Sequence, residues 1–273
     1  MNDALFSLSG KTAIVTGACG LLGRQHCEAL ADAGANVVAA DLDADTVSSF
    51  AAELERGHDR KMLGIRLDVT SRDSILSART ATLRKFHGID ILVNNAAIND
   101  MFENPQAAAD LSRFENYPLH LWEQSLQVNL TGAFLCAQIF GESMVTTGSG
   151  SIINIASTYG IVAPDQRLYK KPDGSQSFYK TPAYPVTKAG ILALTRFLAA
   201  YWGSAGIRVN ALSPGGVENN QDEWFVDAYA SRTPLGRMAS PRDYRGALVF
   251  LAASASAYMT GANLVVDGGW TIW

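Results

Sequence analysis

Seven short, nearly continuous apolar runs recur along the 273 residues, separated by longer stretches with helical periodicity. The runs are Thr12–Thr16, Asn36–Ala40, Gly64–Val69, Ile89–Asn94, Ser151–Ala156, Arg208–Ser213 and Asn263–Val266. A strand with one wet face alternates apolar and polar residues. A run without that alternation is a strand covered on both faces, the mark of a parallel sheet. Between the runs, Leu22–Ala33, Asp43–Arg56, Ser71–Phe86, Leu121–Thr146, Pro185–Ser204 and Pro241–Ser254 have helical length and period. Strand–helix alternation of this kind predicts the α/β class: a seven-stranded parallel sheet, doubly wound, with helices on both faces. No linker, composition shift or internal repeat divides the chain, so residues 1–273 read as one domain.

Hydrophobic residues make up 48% of the chain, enough at this length to bury a large core. Charged residues are 18%, the net charge is −4 and no run of like charges occurs. That balance gives no basis for a nucleic acid or an anionic membrane surface as partner. Residues 1–10 lack a basic stretch followed by a long apolar one, and no segment approaches the roughly 18 apolar residues of a membrane span. Cys19, Cys27 and Cys136 are odd in number and lack metal-ligand spacing. We therefore expect reduced thiols, a cytoplasmic location and no metal.

Between the first run and the first helix lies Thr16-Gly17-Ala18-Cys19-Gly20-Leu21-Leu22-Gly23. Glycines in a strand-to-helix turn free φ and remove the Cβ atoms that would keep a pyrophosphate away from backbone N–H groups. This is the dinucleotide-binding position of a Rossmann fold. Gly17, Cys19, Gly20, Leu21, Leu22 and Gly23 are its candidate contacts. The second run leads into Asp41, 18 residues after Gly23. A carboxylate there accepts hydrogen bonds from both adenosine ribose hydroxyls and repels a 2′-phosphate. No Arg or Lys stands at positions 18, 19 or 42 (the last is Leu42) to neutralise such a phosphate, so NAD is expected rather than NADP. Asp41 could also serve as a helix N-cap.

Farther on the chain reads Ser157…Tyr184-Pro185-Val186-Thr187-Lys188. On a helix, Tyr184 and Lys188 share one face. A phenol titrates near 10 and is a poor base at neutral pH, but a neighbouring ammonium and a bound nicotinamide cation favour the phenolate. Tyr184 would then exchange the proton of a substrate hydroxyl, Ser157 would hydrogen-bond the same oxygen, and Lys188 would also bind the nicotinamide ribose. Tyr159, Tyr169 and Tyr179 have no Lys four residues on.

With these motifs in order, the chain resembles the short-chain dehydrogenase/reductase family from Lys11 to Gly269. Further matching segments are Leu67-Asp68-Val69, Asn94-Asn95-Ala96-Ala97, Val128-Asn129-Leu130-Thr131-Gly132, Ile153–Ser157, Arg208-Val209-Asn210…Pro214-Gly215 and Thr260-Gly261…Asp267-Gly268-Gly269. The resemblance implies cofactor contacts at Asp68 and Val69 on the adenine side and at Asn95, Ala96, Ala97, Pro214, Gly215 and Val217. It also implies that Asn129 positions a water carrying the proton onward from Lys188. There are departures. Leu21 stands where the family pattern has Gly, Ala97 replaces a Gly, and Asn219 is offered where a Thr usually holds the nicotinamide amide.

Ser157 and Tyr184 are 27 residues apart, about twice the family's usual separation, so residues 163–183 are an insertion beside the active site. It carries Arg167, Lys170, Lys171 and Lys180 against Asp165 and Asp173. That basic excess reads either as a solvated loop or as a lid over an anionic substrate. The following lobe, 217–240, begins Val217-Glu218-Asn219-Asn220-Gln221-Asp222-Glu223-Trp224-Phe225. Its amides, carboxylates and aromatic pair suit a polyhydroxylated ligand better than an acyl chain. By resemblance, the run after Pro214 and the placement of the insertion point to the flagellin-modification subgroup, oxidoreductases associated with nonulosonic acid sugars. The expected activity is hydride transfer between NAD and a secondary alcohol or ketone of a sugar-derived, anionic small molecule. A 3-oxoacyl-carrier-protein reductase, a gluconate-type dehydrogenase and a silent dinucleotide sensor remain as alternatives. Apolar faces on Leu121–Thr146 and Pro185–Ser204, with Trp270 and Trp273, point to a homodimer or homotetramer.

Overall fold

The structure is a computed structural model that describes residues 3–99, 105–176 and 178–273. Residues 1–2, residues 100–104 of the long connection at 99–120, and Ser177 of the insertion lie outside the described residues. Strands β1 (Thr12–Thr16), β2 (Asn36–Asp41), β3 (Met62–Arg66), β4 (Ile91–Asn94), β5 (Gly150–Ile155), β6 (Ile207–Pro214) and β7 (Asn263–Val266) form one sheet in the order 3-2-1-4-5-6-7. Every pairing is parallel. Strand order reverses between β1 and β4, which opens a crevice at the carboxyl ends of the strands, where ligands of such sheets bind.

The strands alternate between two cores. Ala13 and Val15 face one cluster with Leu30 of α1 (Leu21–Asp32), Phe50 of α2 (Ala44–Gly57) and Leu248 of α9 (Arg245–Ala252). Ile14 faces the other, with Ile75 of α3 (Arg72–Phe86), Phe140 of α6 (Gly132–Thr147) and Leu198 of α7 (Ala183–Trp202). All five residues of β1 are buried, which is why that run carries no polar alternation.

Three elements depart clearly from the sequence reading, and two short helices are added to it. The third strand is Met62–Arg66 rather than Gly64–Val69. A Cβ at Gly64 would sit 2.5 Å from the Val47 carbonyl oxygen, so α2 rests directly on this edge strand. Leu67 is buried after the strand has ended, its N–H donating to the Asp41 carbonyl at 2.7 Å. The expected helix Leu121–Thr146 is α5 (Leu119–Leu126), one π-helical turn (Gln127–Thr131) and α6. Pro241–Ser254 opens as a 3₁₀ turn, Pro241–Tyr244, before α9. Two short helices, α4 (Pro105–Leu111) and α8 (Glu223–Ala230), fall in stretches without a clear period.

His26 of α1 is fully buried, and neither ring nitrogen has a partner among the described residues. Burial lowers its pKa from 6.5 to about 4. The unfolded chain therefore takes up a proton at higher pH than the folded one. Stability is full above pH 6.5 and falls as pH drops toward 4, by up to about 3 kcal/mol from this residue. Urea midpoints of His26→Leu should show a flatter decline over that interval than the parent. Parallel declines would assign the acid sensitivity elsewhere.

Candidate active site

The cofactor end is built from backbone. Gly17 has φ +63°, and a Cβ there would lie 2.8 Å from the Ala96 Cα. A Cβ on Gly23 would lie 2.1 Å from the Gly17 carbonyl oxygen, so only glycine lets α1 start this close to β1. The departure at Leu21 costs nothing: it is the first residue of α1, 41% exposed, and no close backbone approach requires glycine there. Helices α2 and α3 begin with Asp43 and Ser71 capping backbone N–H groups, whereas α1 begins at Gly20 with no side-chain cap. Its first N–H groups are thus left without a side-chain partner at the glycine turn, where an anion would find donors. Gly17, Cys19, Gly20, Leu21, Leu22, Gly23, Asp41, Asn95, Ala96 and Ala97 line one cavity of ≈ 490 Å³.

Asp41 is held from two sides: the Cys19 N–H donates to Oδ2 at 2.7 Å and the Leu42 N–H to Oδ1 at 2.8 Å. The Leu42 side chain itself is 61% exposed. Asn95 carries no charge but ties the turn to β4. Its Nδ2 donates to the carbonyls of Thr16 and Gly17, both at 3.0 Å. The Thr16 hydroxyl accepts from the N–H groups of Asn95 and Ala96. Asp68 accepts from the N–H and hydroxyl of Thr70, which holds its carboxyl below the usual range, and Val69 packs on Gly132. Neither lines the glycine-turn cavity. Backbone cradle, open helix start and ribose-side carboxylate together fit a nicotinamide dinucleotide.

The candidate catalytic residues gather where β5 meets α7. Ser157 follows the end of β5, and its hydroxyl accepts from the Tyr159 N–H at 3.2 Å. The next turn packs so closely on α7 that a Cβ at Gly160 would lie 2.8 Å from the Lys188 backbone. Tyr184 and Lys188 share a face as expected, with the Lys188 Nζ 5.5 Å from the Tyr184 ring centroid and donating to the Ile155 carbonyl at 2.7 Å. Burial lowers Lys188 to about 8. Burial also raises the Tyr184 phenol, while the hydrogen bond from Ser157 pulls it down. Desolvation is thus the leading influence on this phenol, ahead of the Ser157 hydrogen bond. Asn129 sits in the π-turn. Its Oδ1 accepts from the Ile98 N–H at 2.7 Å, and its Nδ2 donates to the Ile98 carbonyl at 2.9 Å and to the Thr187 hydroxyl at 3.3 Å. The side chain braces the strand-end loop against α7.

Beside Tyr184 lies a cavity of ≈ 340 Å³. Pro214, Gly215 and Val217 form part of its wall, with Ser157 and Lys188. Gln221 comes from the lobe expected over the substrate, whereas sequence reasoning missed four other polar residues of the wall: Asn99, Tyr159, Tyr169 and Tyr229. Only Tyr159, two residues after Ser157, had a positional signal. Tyr159 and Tyr169 exchange a hydroxyl hydrogen bond at 2.9 Å. The Tyr229 hydroxyl accepts from the Gly216 N–H at 2.6 Å. Asn219 is exposed and outside the cavity wall, because its N–H turns back onto the Gln221 side chain. Of the insertion's cations only Lys180 lines this cavity. Arg167 pairs with Asp165, which also binds Arg232, and Lys170 with Lys171 flanks an exposed hairpin turn. Trp270 is likewise no surface residue: it is 9% exposed and stacks on Tyr229 at 4.1 Å.

Among the described residues no helix is long and apolar enough to cross a membrane, and no group of three or more His, Cys, Asp or Glu could hold a metal ion. The family model described as Enoyl-(Acyl carrier protein) reductase matches residues 17–271. The chain belongs to the short-chain dehydrogenase/reductase family: it is an NAD(P)-dependent oxidoreductase acting on CH–OH groups. It is 38% identical to a D-threitol dehydrogenase of Mycolicibacterium smegmatis over 99% of this chain and 96% of that protein. It is 31% identical to an NAD-dependent glycerol dehydrogenase of Listeria innocua over 99% and 97%. A gluconate 5-dehydrogenase from Burkholderia cenocepacia, solved with NADP and tartrate, superposes with a TM-score of 0.86 at 29% identity, covering 100% of both chains.

Tyr184→Phe removes one oxygen from the cavity and should lower kcat by at least about a thousandfold, leaving NADH affinity within about twofold. Lys188→Met should weaken both. Fluorescence titration of NADH beside steady-state rates checks this; a fully active Tyr184→Phe would overturn the assignment.

Proposed function

We propose that the protein oxidises, or forms in reverse, a secondary hydroxyl of a short, polyhydroxylated, anionic sugar derivative, with NAD(H) as its cofactor. The observation that carries this reading is the cavity beside Tyr184. Its wall presents four phenols, the amides of Asn99 and Gln221, and the Lys180 ammonium, with no Asp or Glu among the described residues. Hydroxyl-rich ligands find donors and acceptors there, and a carboxylate meets a cation without a competing anion. An acyl chain would cover those polar groups without offering partners for their remaining donors and acceptors, which disfavours the oxoacyl reductase alternative. Relatives named for polyols and for gluconate support the same substrate class. The proposal therefore rests on the pocket rather than on the flagellin-modification resemblance.

In this reading Tyr184 takes the proton of the substrate hydroxyl and Ser157 hydrogen-bonds the oxygen as charge develops on it. Lys188 favours the phenolate and holds the nicotinamide ribose. Asn129, its amide committed to Ile98 and Thr187, leaves the π-turn main chain to hold the relay water behind Lys188. The dinucleotide, held by Gly17–Gly23 and Asp41, supplies the two-electron acceptor. An intact Ser157, Tyr184 and Lys188 set argues against a silent sensor. We read residues 1–273 as one catalytic unit of the cytoplasm. Phe197 and Tyr201 of α7, 63% and 68% exposed and stacked at 5.8 Å, support association into a homodimer or homotetramer.

Rates with NAD and NADP on threitol, glycerol, galactitol and gluconate test both halves of the proposal. NAD should be preferred, and Asp41→Ala with Leu42→Arg should shift that preference toward NADP by about tenfold or more, about 1.4 kcal/mol. Tighter NADPH than NADH binding by the parent would refute the cofactor assignment. A preference for oxoacyl esters over every sugar derivative would refute the substrate class.

A further inference from the structure

Tyr184 is flanked by two ammonium groups, and only one of them comes from its own helix. The Lys188 Nζ lies 5.5 Å from the Tyr184 ring centroid, and the Lys180 Nζ lies closer, at 4.7 Å. Lys180 is contributed by the insertion, four residues before Tyr184 and ahead of the start of α7. Its placement is built from within the insertion. The Gln166 side chain grips the Lys180 backbone at both ends, accepting from its N–H at 2.8 Å and donating to its carbonyl at 2.9 Å. Gln176 in turn donates to the Gln166 and Phe178 carbonyls, both at 3.0 Å. The ammonium donates to Asn99 Oδ1 at 2.6 Å and stands 6.0 Å from the Tyr159 ring. Two amide side chains and a hairpin thus converge on the position of one side chain.

We propose that Lys180 is a positioning residue for proton transfer, its ammonium acting with Lys188 to hold Tyr184 as phenolate when substrate arrives. The need for a second cation follows from the pocket. Burial favours the neutral phenol, and the Lys188 head is drawn to the Ile155 carbonyl. The polar and titratable groups that share the cavity wall with Tyr184 include Ser157 beyond β5, Tyr159 in the adjoining turn, Tyr169 and Lys180 of the insertion, Lys188 of α7 and Tyr229 of α8. Of these only the two lysines carry charge. A positive charge within about 4–6 Å of a phenol favours its ionised form, and desolvation strengthens the attraction. Proton balance is simple: Tyr184 loses its proton before the chemical step, then receives the one the substrate hydroxyl gives up. This role is distinct from binding a substrate carboxylate, although the two share a side chain.

The first readout needs no substrate. In enzyme saturated with NAD, ultraviolet difference titration between about pH 6 and 11 follows tyrosinate formation, and subtracting Tyr184→Phe isolates the one phenol. Lys180→Met should move that titration up by about one pH unit or more, and Lys180→Arg, which keeps the charge, should restore it. With threitol as neutral substrate, the pH at which kcat falls should move equally while KM stays nearly constant. Identical Tyr184 titrations in parent and Lys180→Met would overturn the inference. If the titration stays put but KM for gluconate alone rises, the inference fails and the anionic-substrate reading stands. A moved titration with unchanged gluconate KM supports the inference and removes Lys180 from substrate binding.

Discussion

The structure depends on three neighbouring sets of side-chain hydrogen bonds placed across the carboxyl ends of the central strands. Asn95 and the Thr16 hydroxyl clasp the glycine turn to the end of β4. One residue earlier, Asn94 donates to the Asn154 side chain at 2.8 Å, and Asn154 donates to Thr195 of α7 at 2.9 Å. Asn129 makes the third set, linking Ile98 to Thr187, beside Lys188. Each of these amides is buried or half-buried, where an unpaired partner costs about 1–3 kcal/mol. Cofactor turn and catalytic helix therefore hold one relative position, which is what hydride transfer demands of them.

Against this fixed floor the insertion and the lobe after β6 form a second, smaller body. Leu168 and Tyr169 of the insertion pack with Tyr229, Met238 and Trp270 in a cluster of their own. Tyr169 contacts Phe178 and Phe225 with ring centroids at 4.7 and 5.6 Å. Asp165 bridges to Arg232 across the same seam, and its partners Arg167 and Arg232 hold its carboxyl well below the usual range. The substrate cavity lies between floor and roof. Its shape is set by residues far apart in the chain, while the residues we propose for its chemistry, Ser157, Tyr184 and Lys188, lie on the floor.

The parts read directly from sequence are those whose physics is local. β1 and β7 match their apolar runs, and Tyr184 meets Lys188 because a helix places positions four apart on one face. Gly17 and Gly23 act where the turn motif puts them, one by positive φ and one by close approach. The misread parts depend on distant partners. Nothing in the period of Leu121–Thr146 marks a π-turn at Gln127–Thr131, since apolar spacing barely changes across it. Counting charges in the insertion could not say which of its cations reach the cavity. Arg167 is neutralised by Asp165, itself bound to a residue 67 positions away, which leaves Lys180 as the insertion's cation at the cavity. Trp270 counted as a surface aromatic until Tyr229 covered it.

The central claim is that this floor and cavity transfer hydride to a carbon of a polyhydroxylated substrate. The most direct measurement is isotopic: incubate the enzyme with C4-deuterated NADH and a panel of keto-sugars and keto-acids of sugar type, then locate the label by mass spectrometry and NMR. Deuterium should appear on a secondary carbinol carbon of the reduced product. A protein that binds NADH yet leaves every product of the panel unlabelled would contradict the claim.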